Sequence, residues 1–445
     1  MTINERAIHL IKLIQPEAWQ RETRTAKGSL GDRPILDLTD KLADIDQIAW
    51  DLDEFGNRVA VYLYENDKKI GINEEKFGLF QSFIDEVIAM PFFVNLLSKE
   101  FIEDKTFDWI IRFYRTNTVT DQYEEYLTKE MASNVNTFKY FFPICNFEIE
   151  KSFKIGNVEF NWIRKEQIEY WNHEIVKARK DEVVPENYIY DLLRKHDIGP
   201  GTVYAQISIE AESKLATEFA LNFVNSAINC LKLFGDTILH PKHISNFGIN
   251  SMIEFNKTSA YLYEKVSNDF QLSMVIQNRA GSTKFSIDRI EYLVDNVFPY
   301  LSRCLDSFRI TTLGQLILQN INRIGVALSK DDIYERILIL CSAIESIFVP
   351  EDQEKDMTRT ARSNLCWYLF DDMKKRNLQM EICKGVYDVR HKYIHKARKI
   401  KINYNYLANF QMTIADALFQ LIEESNLYTS KEQLIEVIEK RKLRN

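Results

Sequence analysis

The chain has 445 residues, a net charge of −8 and an ordinary globular composition, with 45% hydrophobic and 27% charged residues. That length exceeds one small core, which makes two domains the default and three the alternative. The pI near 5.6 excludes a surface built throughout for nucleic acid, so any such contact must be local. Aromatics are plentiful at 12%, while Gly and Pro number 14 and 9, which favours long helices over a turn-dense or disordered chain. No apolar run reaches the ~18 residues of a membrane span. The opening MTINERAIHLIKLI carries charges within its apolar residues and does not read as a signal peptide. Cys145, Cys230, Cys304, Cys341, Cys366 and Cys383 form no CxxC pair and mostly sit in apolar runs. They read as buried thiols of a reducing compartment, so the expected location is the cytoplasm.

In chain order, Glu5 to Ile14 reads as a short amphipathic helix, and Pro34 to Asp53 is acidic and mixed. Arg58 to Tyr64 reads as a strand by its β-branched and aromatic content, and Gly71 to Gly78 as a turn. Helical spacing runs from Leu79 to Tyr126, with Pro91 expected to kink or break the first helix. Trp109, Phe113 and Tyr114 form an aromatic stripe at helical spacing, which is a core pattern. Phe142 to Ile163 alternates, with Gly156-Asn157 as the turn between two strands. Residues 164–200 predict a helix and a loop ending at Gly199-Pro200-Gly201. Thr202 to Glu210 reads as a half-buried strand, and Ser213 to Phe234 as a long helix stopping near Gly235. Phe270 to Ile276 and Lys284 to Ile287 read as further strands.

From Arg289 the pattern is helical: 289–308, 311–328 and 331–348, the last with Asp331 or Asp332 as N-cap. Pro350 to Asp356 is an acidic connector. Helices are expected over Thr358 to Phe370, from Met373 past Lys392, and over Tyr404 to Ser425. The tail EVIEKRKLRN reads as a solvated helix end. The fold class is therefore an α+β N-terminal region followed by an all-α helical bundle, divided as 1–288 and 289–445. The change of pattern falls between Ser282 and Phe298. His240-Pro-Lys-His243 is an HxxH in a loop, and two histidines supply half of an ordinary metal site.

The most informative stretch is Lys384 to Lys401, KGVYDVRHKYIHKARKIK, with seven Lys/Arg against a single Asp in an acidic chain. Such a segment points to an anionic partner. Val386, Val389, Tyr393, Ala397 and Ile400 recur as a buried helical stripe, while Asp388, His391, His395 and Lys399 share another face. At ~100° per residue, Arg390 lies about 140° around the helix from His395, within reach of a long side chain or completed by a second subunit. Histidine moves protons near neutral pH, and arginine holds phosphate through a planar fork. Together they suffice for phosphodiester cleavage without metal or other cofactor. A metal held by His391 and His395 would lack a glutamate base and would sit among Lys and Arg. Glu345 lies in an apolar run and needs a partner if buried, and Arg390 is the candidate.

RHKYIH (Arg390 to His395) resembles the R-x4-6-H motif of HEPN domains. With ERILILCSAIESIF (Glu335–Phe348) and RTARSNLCWYLF (Arg359–Phe370) before it, the run from about 330 to 425 resembles the ApeA-like HEPN family in particular. Lys396 stands where many relatives have glycine, which bears on the local turn. The resemblance implies a metal-independent endoribonuclease in which two domains pair as a homodimer, so that Arg390 and His395 of both protomers line one groove. His391, Glu345, Tyr387 and Asp388 are then supporting residues, and Lys392, Lys396, Arg398 and Lys399 contact RNA. It further implies anti-phage defence by abortive infection, with the N-terminal region sensing a phage-derived trigger. The alternatives are a non-catalytic module that binds RNA or nucleotide or dimerises, and a toxin whose partner is encoded nearby.

Overall fold

The structure is a computed structural model describing residues 2–18, 47–65, 68–118, 121–178, 187–195, 198–249, 258–264, 270–276, 283–305 and 311–444. Most of the acidic stretch after Pro34, and the Cys304 side chain, lie outside that description. The chain forms two compact units, Met1–Phe138 with Ile209–Glu218, and Lys139–Ser208 with Phe219–Asn445.

In the first unit, α1 (Ile3–Leu10) starts with a capping box in which Thr2 and Glu5 satisfy each other's backbone N–H. Strands β1 (Gln15–Ala18), β2 (Gln47–Leu52), β3 (Arg58–Glu65) and β4 (Lys68–Ile72) form an antiparallel sheet ordered β1-β4-β3-β2. Gly71, expected in a turn, instead sits inside β4 opposite Tyr62. A Cβ there would lie 2.0 Å from the Val61 carbonyl oxygen, so close backbone approach is what calls for glycine. Helices α2 (Glu74–Ile88), α3 (Lys99–Thr116) and α4 (Tyr123–Asn134) bury Phe77, Phe80, Phe83, Ile110 and Leu127 with Val61 and Leu63. Pro91 falls in the break between α2 and α3. Trp109 is core, edge-on to Tyr123 at 5.4 Å, whereas Tyr114 is exposed.

The chain continues through β5 (Asn136–Cys145), β6 (Phe147–Ile149), β7 (Phe153–Ile155), β8 (Val158–Trp162), α5 (Lys165–Ala178), α6 (Tyr188–Lys195), β9 (Val203–Ala211) and α7 (Ser213–Lys232). The expected hairpin is β7–β8, turning at Gly156 with φ +56°. Then come β10 (Gly248–Ile249), β11 (Thr258–Glu264), β12 (Phe270–Ile276) and β13 (Thr283–Phe285). The larger sheet is ordered β10-β5-β9-β8-β7, β11 pairs with β12, and β13 runs parallel to β6. The strand expected to reach Ile287 stops at Phe285, because Ser286 caps α8 (Ile287–Asn296) by accepting from Arg289 N–H.

Everything described after that is helical: α9 (Phe298–Leu305), α10 (Thr312–Leu328), α11 (Ile333–Phe348), α12 (Met357–Leu369), α13 (Met373–Lys396), α14 (Tyr404–Glu423) and α15 (Lys431–Arg444). An α+β N-terminal region thus precedes an all-helical C-terminal region. The compact units divide the chain at other positions than this change of pattern, since the larger sheet and the helices share the second unit. Asp332 caps α11 through Tyr334 N–H. The tail expected to be solvated is docked. Leu434 and Ile438 of α15 are fully buried, Arg441 donates to the Tyr368 carbonyl at 2.7 Å, and Lys442 reaches Asn364. Two apolar residues four apart, with hydrogen bonds from two long basic side chains, seat a helix whose composition is mostly charged.

The His240–His243 loop has a structural role. Its Pro241 and His243 carbonyls, with that of Lys330, accept from the buried guanidinium of Arg336 at 2.7–3.0 Å. Among the described residues no group of three His, Cys, Asp or Glu is placed to hold a metal, and no helix is long and apolar enough to cross a membrane.

Gly71→Ala is expected to lower unfolding free energy by roughly 2 kcal/mol, through overpacking between β3 and β4. Urea titration measures it, and a loss below about 0.5 kcal/mol would show that the strands separate freely.

Candidate functional site

Helix α13 places the site. Asp372 caps it by accepting from Lys375 N–H at 2.7 Å. Gln379, Ile382, Cys383, Val386, Tyr387 and Val389 then form a buried stripe at three- and four-residue steps. Each fully buried aliphatic side chain in it contributes about 1.5–3 kcal/mol. Arg390 continues the Cys383–Val386–Tyr387 face and so points at α11 rather than at solvent.

There it meets Glu345. The two terminal nitrogens of Arg390 donate to the two carboxylate oxygens at 2.7 and 3.0 Å, a fork-on-fork pair. The side chains are 22% and 11% exposed, so the pair is largely desolvated. Burial raises the Glu345 pKa, against the pull of the Arg390 charge. Tyr387 packs alongside, its hydroxyl donating to the Cys341 carbonyl at 3.3 Å, and burial holds its pKa well above the usual phenol value.

On the Arg390 side of this pair opens a cleft of about 210 Å³. Six of its lining residues come from α13: Tyr387, Asp388, Arg390, His391, Ile394 and His395. The His391 and His395 rings stand one turn apart with centroids 4.7 Å from each other and are exposed. Arg390 and His395, about 140° apart around the helix on ideal geometry, therefore share one cleft with His391 within a single chain, because the cleft's lining runs along α13 from Tyr387 to His395.

The remaining lining residues, Thr358 and Arg362 of α12, were not among the residues singled out from sequence. The signal was present in the TRTARSN run, since Thr358 and Arg362 are one helical turn apart and bracket buried Ala361. Nothing local distinguishes such an arginine from a solvated one.

The basic residues after His395 are placed differently from expectation. Lys396 ends α13, and Ala397 turns the chain in the left-handed conformation at φ 46°, a position glycine usually occupies. Ala397 and Ile400 thus leave the predicted stripe, and Ala397 is exposed. Lys399 leaves the histidine face as well. Its ammonium pairs with Asp332 at 2.7 Å, while the Tyr334 hydroxyl donates to the Ile400 carbonyl at 2.7 Å. This ties the segment after α13 to the start of α11. Lys392, Lys396 and Arg398 are exposed and do not line the cleft.

The cleft can therefore present two imidazoles, two guanidiniums and one exposed carboxylate, Asp388, to a small anionic group. Compared with protein-family models, with curated proteins and with solved structures, the chain finds no match.

Arg390→Ala is expected to cost about 3 kcal/mol in urea unfolding, because it strands the Glu345 carboxylate in a desolvated place. The double replacement Arg390→Met with Glu345→Leu should recover most of that loss. Failure to recover would show that Arg390 supports the fold in some other way.

The raised Glu345 pKa means that the folded chain binds this proton more tightly than the unfolded chain. The site's contribution to stability is then largest below the unfolded carboxylate pKa, declines as pH rises through the folded value, and is flat above it. Comparing wild type with Glu345→Gln by urea titration across the carboxylate range should show that decline. A difference that grows with rising pH contradicts it.

Proposed function

We propose that the C-terminal helical region is a HEPN-type, metal-independent endoribonuclease. The observation that supports this most is the convergence of Arg390, His391 and His395 of the RHKYIH motif on one open cleft, with Arg390 braced by Glu345.

In the reaction, a ribose 2′-hydroxyl attacks the adjacent phosphorus. His395 takes the hydroxyl proton, and the positive potential of Arg390 offsets the charge added to the phosphoryl oxygens. The bond from phosphorus to the 5′-oxygen breaks, and that oxygen receives a proton from a second imidazole, His391 or a histidine of a second copy. The products are a 2′,3′-cyclic phosphate and a 5′-hydroxyl. DNA lacks the attacking hydroxyl and is not cut. Pairing of two helical regions in a homodimer would set two such clefts in one groove. In this reading the protein acts in the cytoplasm as an anti-phage effector of abortive infection, and the N-terminal α+β region senses the trigger.

A second reading has its own observation. Both terminal nitrogens of Arg390 are engaged by Glu345, as in an ion pair that merely joins two helices. The region would then bind RNA or nucleotide, or dimerise, without cutting.

The deciding experiment incubates the purified full chain with labelled single-stranded RNA and with DNA of the same sequence, in EDTA. RNA should be cut to cyclic-phosphate ends and DNA left intact, and His395→Ala should slow cleavage roughly 100- to 10,000-fold without unfolding the protein. Binding without cleavage, unchanged by His395→Ala, would establish the second reading instead.

A further inference from the structure

Two guanidiniums line the cleft, and they are in opposite states. Arg390 spends both terminal nitrogens on Glu345, and its Nε is buried with no partner among the described residues. Turning that fork toward a ligand would leave a desolvated carboxylate unpaired, and a phosphate approaching it would also meet the Glu345 charge. Arg362 is different. Its Nε donates to the Thr358 carbonyl at 3.1 Å, which fixes the root of the side chain. Its two terminal nitrogens have no partner among the described residues. Its guanidinium carbon lies 5.8 Å from the Tyr387 ring centroid, the same distance as that of Arg390, so both cations lie near one buried ring. Arg362 is half-buried, which limits the rotamers it can adopt and lowers the entropy lost on binding.

The neighbourhood favours an anion for a second reason. Thr358 lies in the first turn of α12, a helix of 13 residues whose Asp356 cap makes no side-chain hydrogen bond to its amides. The start of α12 therefore adds its positive end to the same cleft that His391 and His395 line from α13. Among the cleft's lining residues one carboxylate, Asp388, opposes them.

We propose that Arg362 is the phosphate-gripping residue of this cleft: its terminal N–H fork takes the non-bridging oxygens of a bound phosphodiester, opposite His391 and His395. Arg390 acts behind it as a positioning residue that shapes the cleft through Glu345. The proposal rests on the ribonuclease reading for the identity of the ligand as RNA, and stands apart from it for the phosphate contact itself. The chemistry recognised is a singly or doubly charged phosphate with two oxygens free, in a polymer or in a free nucleotide.

The test measures binding and cutting separately. Fluorescence anisotropy reports binding of a labelled single-stranded RNA oligonucleotide carrying 2′-O-methyl groups throughout, which cannot be cut. The full chain is compared with Arg362→Gln, Arg362→Lys and, as a control on the same helix outside the cleft, Arg359→Gln. Arg362→Gln should weaken binding by about tenfold or more, Arg362→Lys should fall between it and wild type, and Arg359→Gln should stay within about twofold. Thermal melting accompanies each, and Arg362→Lys keeps the test valid if the glutamine variant folds poorly. Equal affinity of Arg362→Gln and wild type overturns the proposal, as does a wild-type chain that does not bind the probe. Loss of binding in Arg362→Gln together with no cutting of unmodified RNA by wild type keeps the phosphate contact and removes the nuclease. Competition by inorganic phosphate or AMP at micromolar concentration assigns the fork to free phosphate ligands, and competition requiring millimolar amounts assigns it to the polymer.

Discussion

The site depends on one ion pair. Arg390 and Glu345 are 45 residues apart, yet two parallel hydrogen bonds join them where α13 crosses α11. Both side chains are mostly out of water, so neither charge is tolerable alone. Their pairing sets where α13 sits against α11, and this in turn sets which face of α13 carries the two imidazoles outward. The surrounding polar contacts agree with it. Tyr387 binds the Cys341 carbonyl one turn before Glu345, and Tyr334 and Lys399 tie the end of α13 to the start of α11. The pair is fixed from both ends.

Much of this was legible from local chemistry. The order of helices after residue 289, the hairpin at Gly156 and the break at Pro91 followed from spacing and turn residues, because those signals act within a few positions. Glu345 was conspicuous because a carboxylate inside an apolar run demands a partner. The misses share one cause, which is that contact at long range overrides local preference. Gly71 reads as a turn until a neighbouring backbone is seen 2.0 Å from where its Cβ would be. The charged tail reads as solvated until Leu434 and Ile438 find a surface. Ala397 and Ile400 continue a helical pattern that the chain abandons, because the segment after Lys396 gains more from binding Tyr334 and Asp332 than from another turn.

Arg362 is the instructive omission. Its local sequence describes an ordinary helix, and its importance arises from what another helix has already used. Once Glu345 has taken up Arg390, the guanidinium that remains open in the cleft is one that no motif names. Reading RHKYIH as a complete site assigns two tasks, holding the helices and holding the ligand, to one arginine. In the proposed arrangement they fall on α13 and α12 separately.

The same pair bears on how this protein can diverge. A change at position 345 or 390 alone passes through a chain with a stranded buried charge, so descent by single steps is obstructed. Lineages should either keep both residues or replace both with an apolar couple, and intermediate genotypes should be rare. The cleft's outward histidines carry no such bond between them, so folding stability places no comparable obstacle on a change at either.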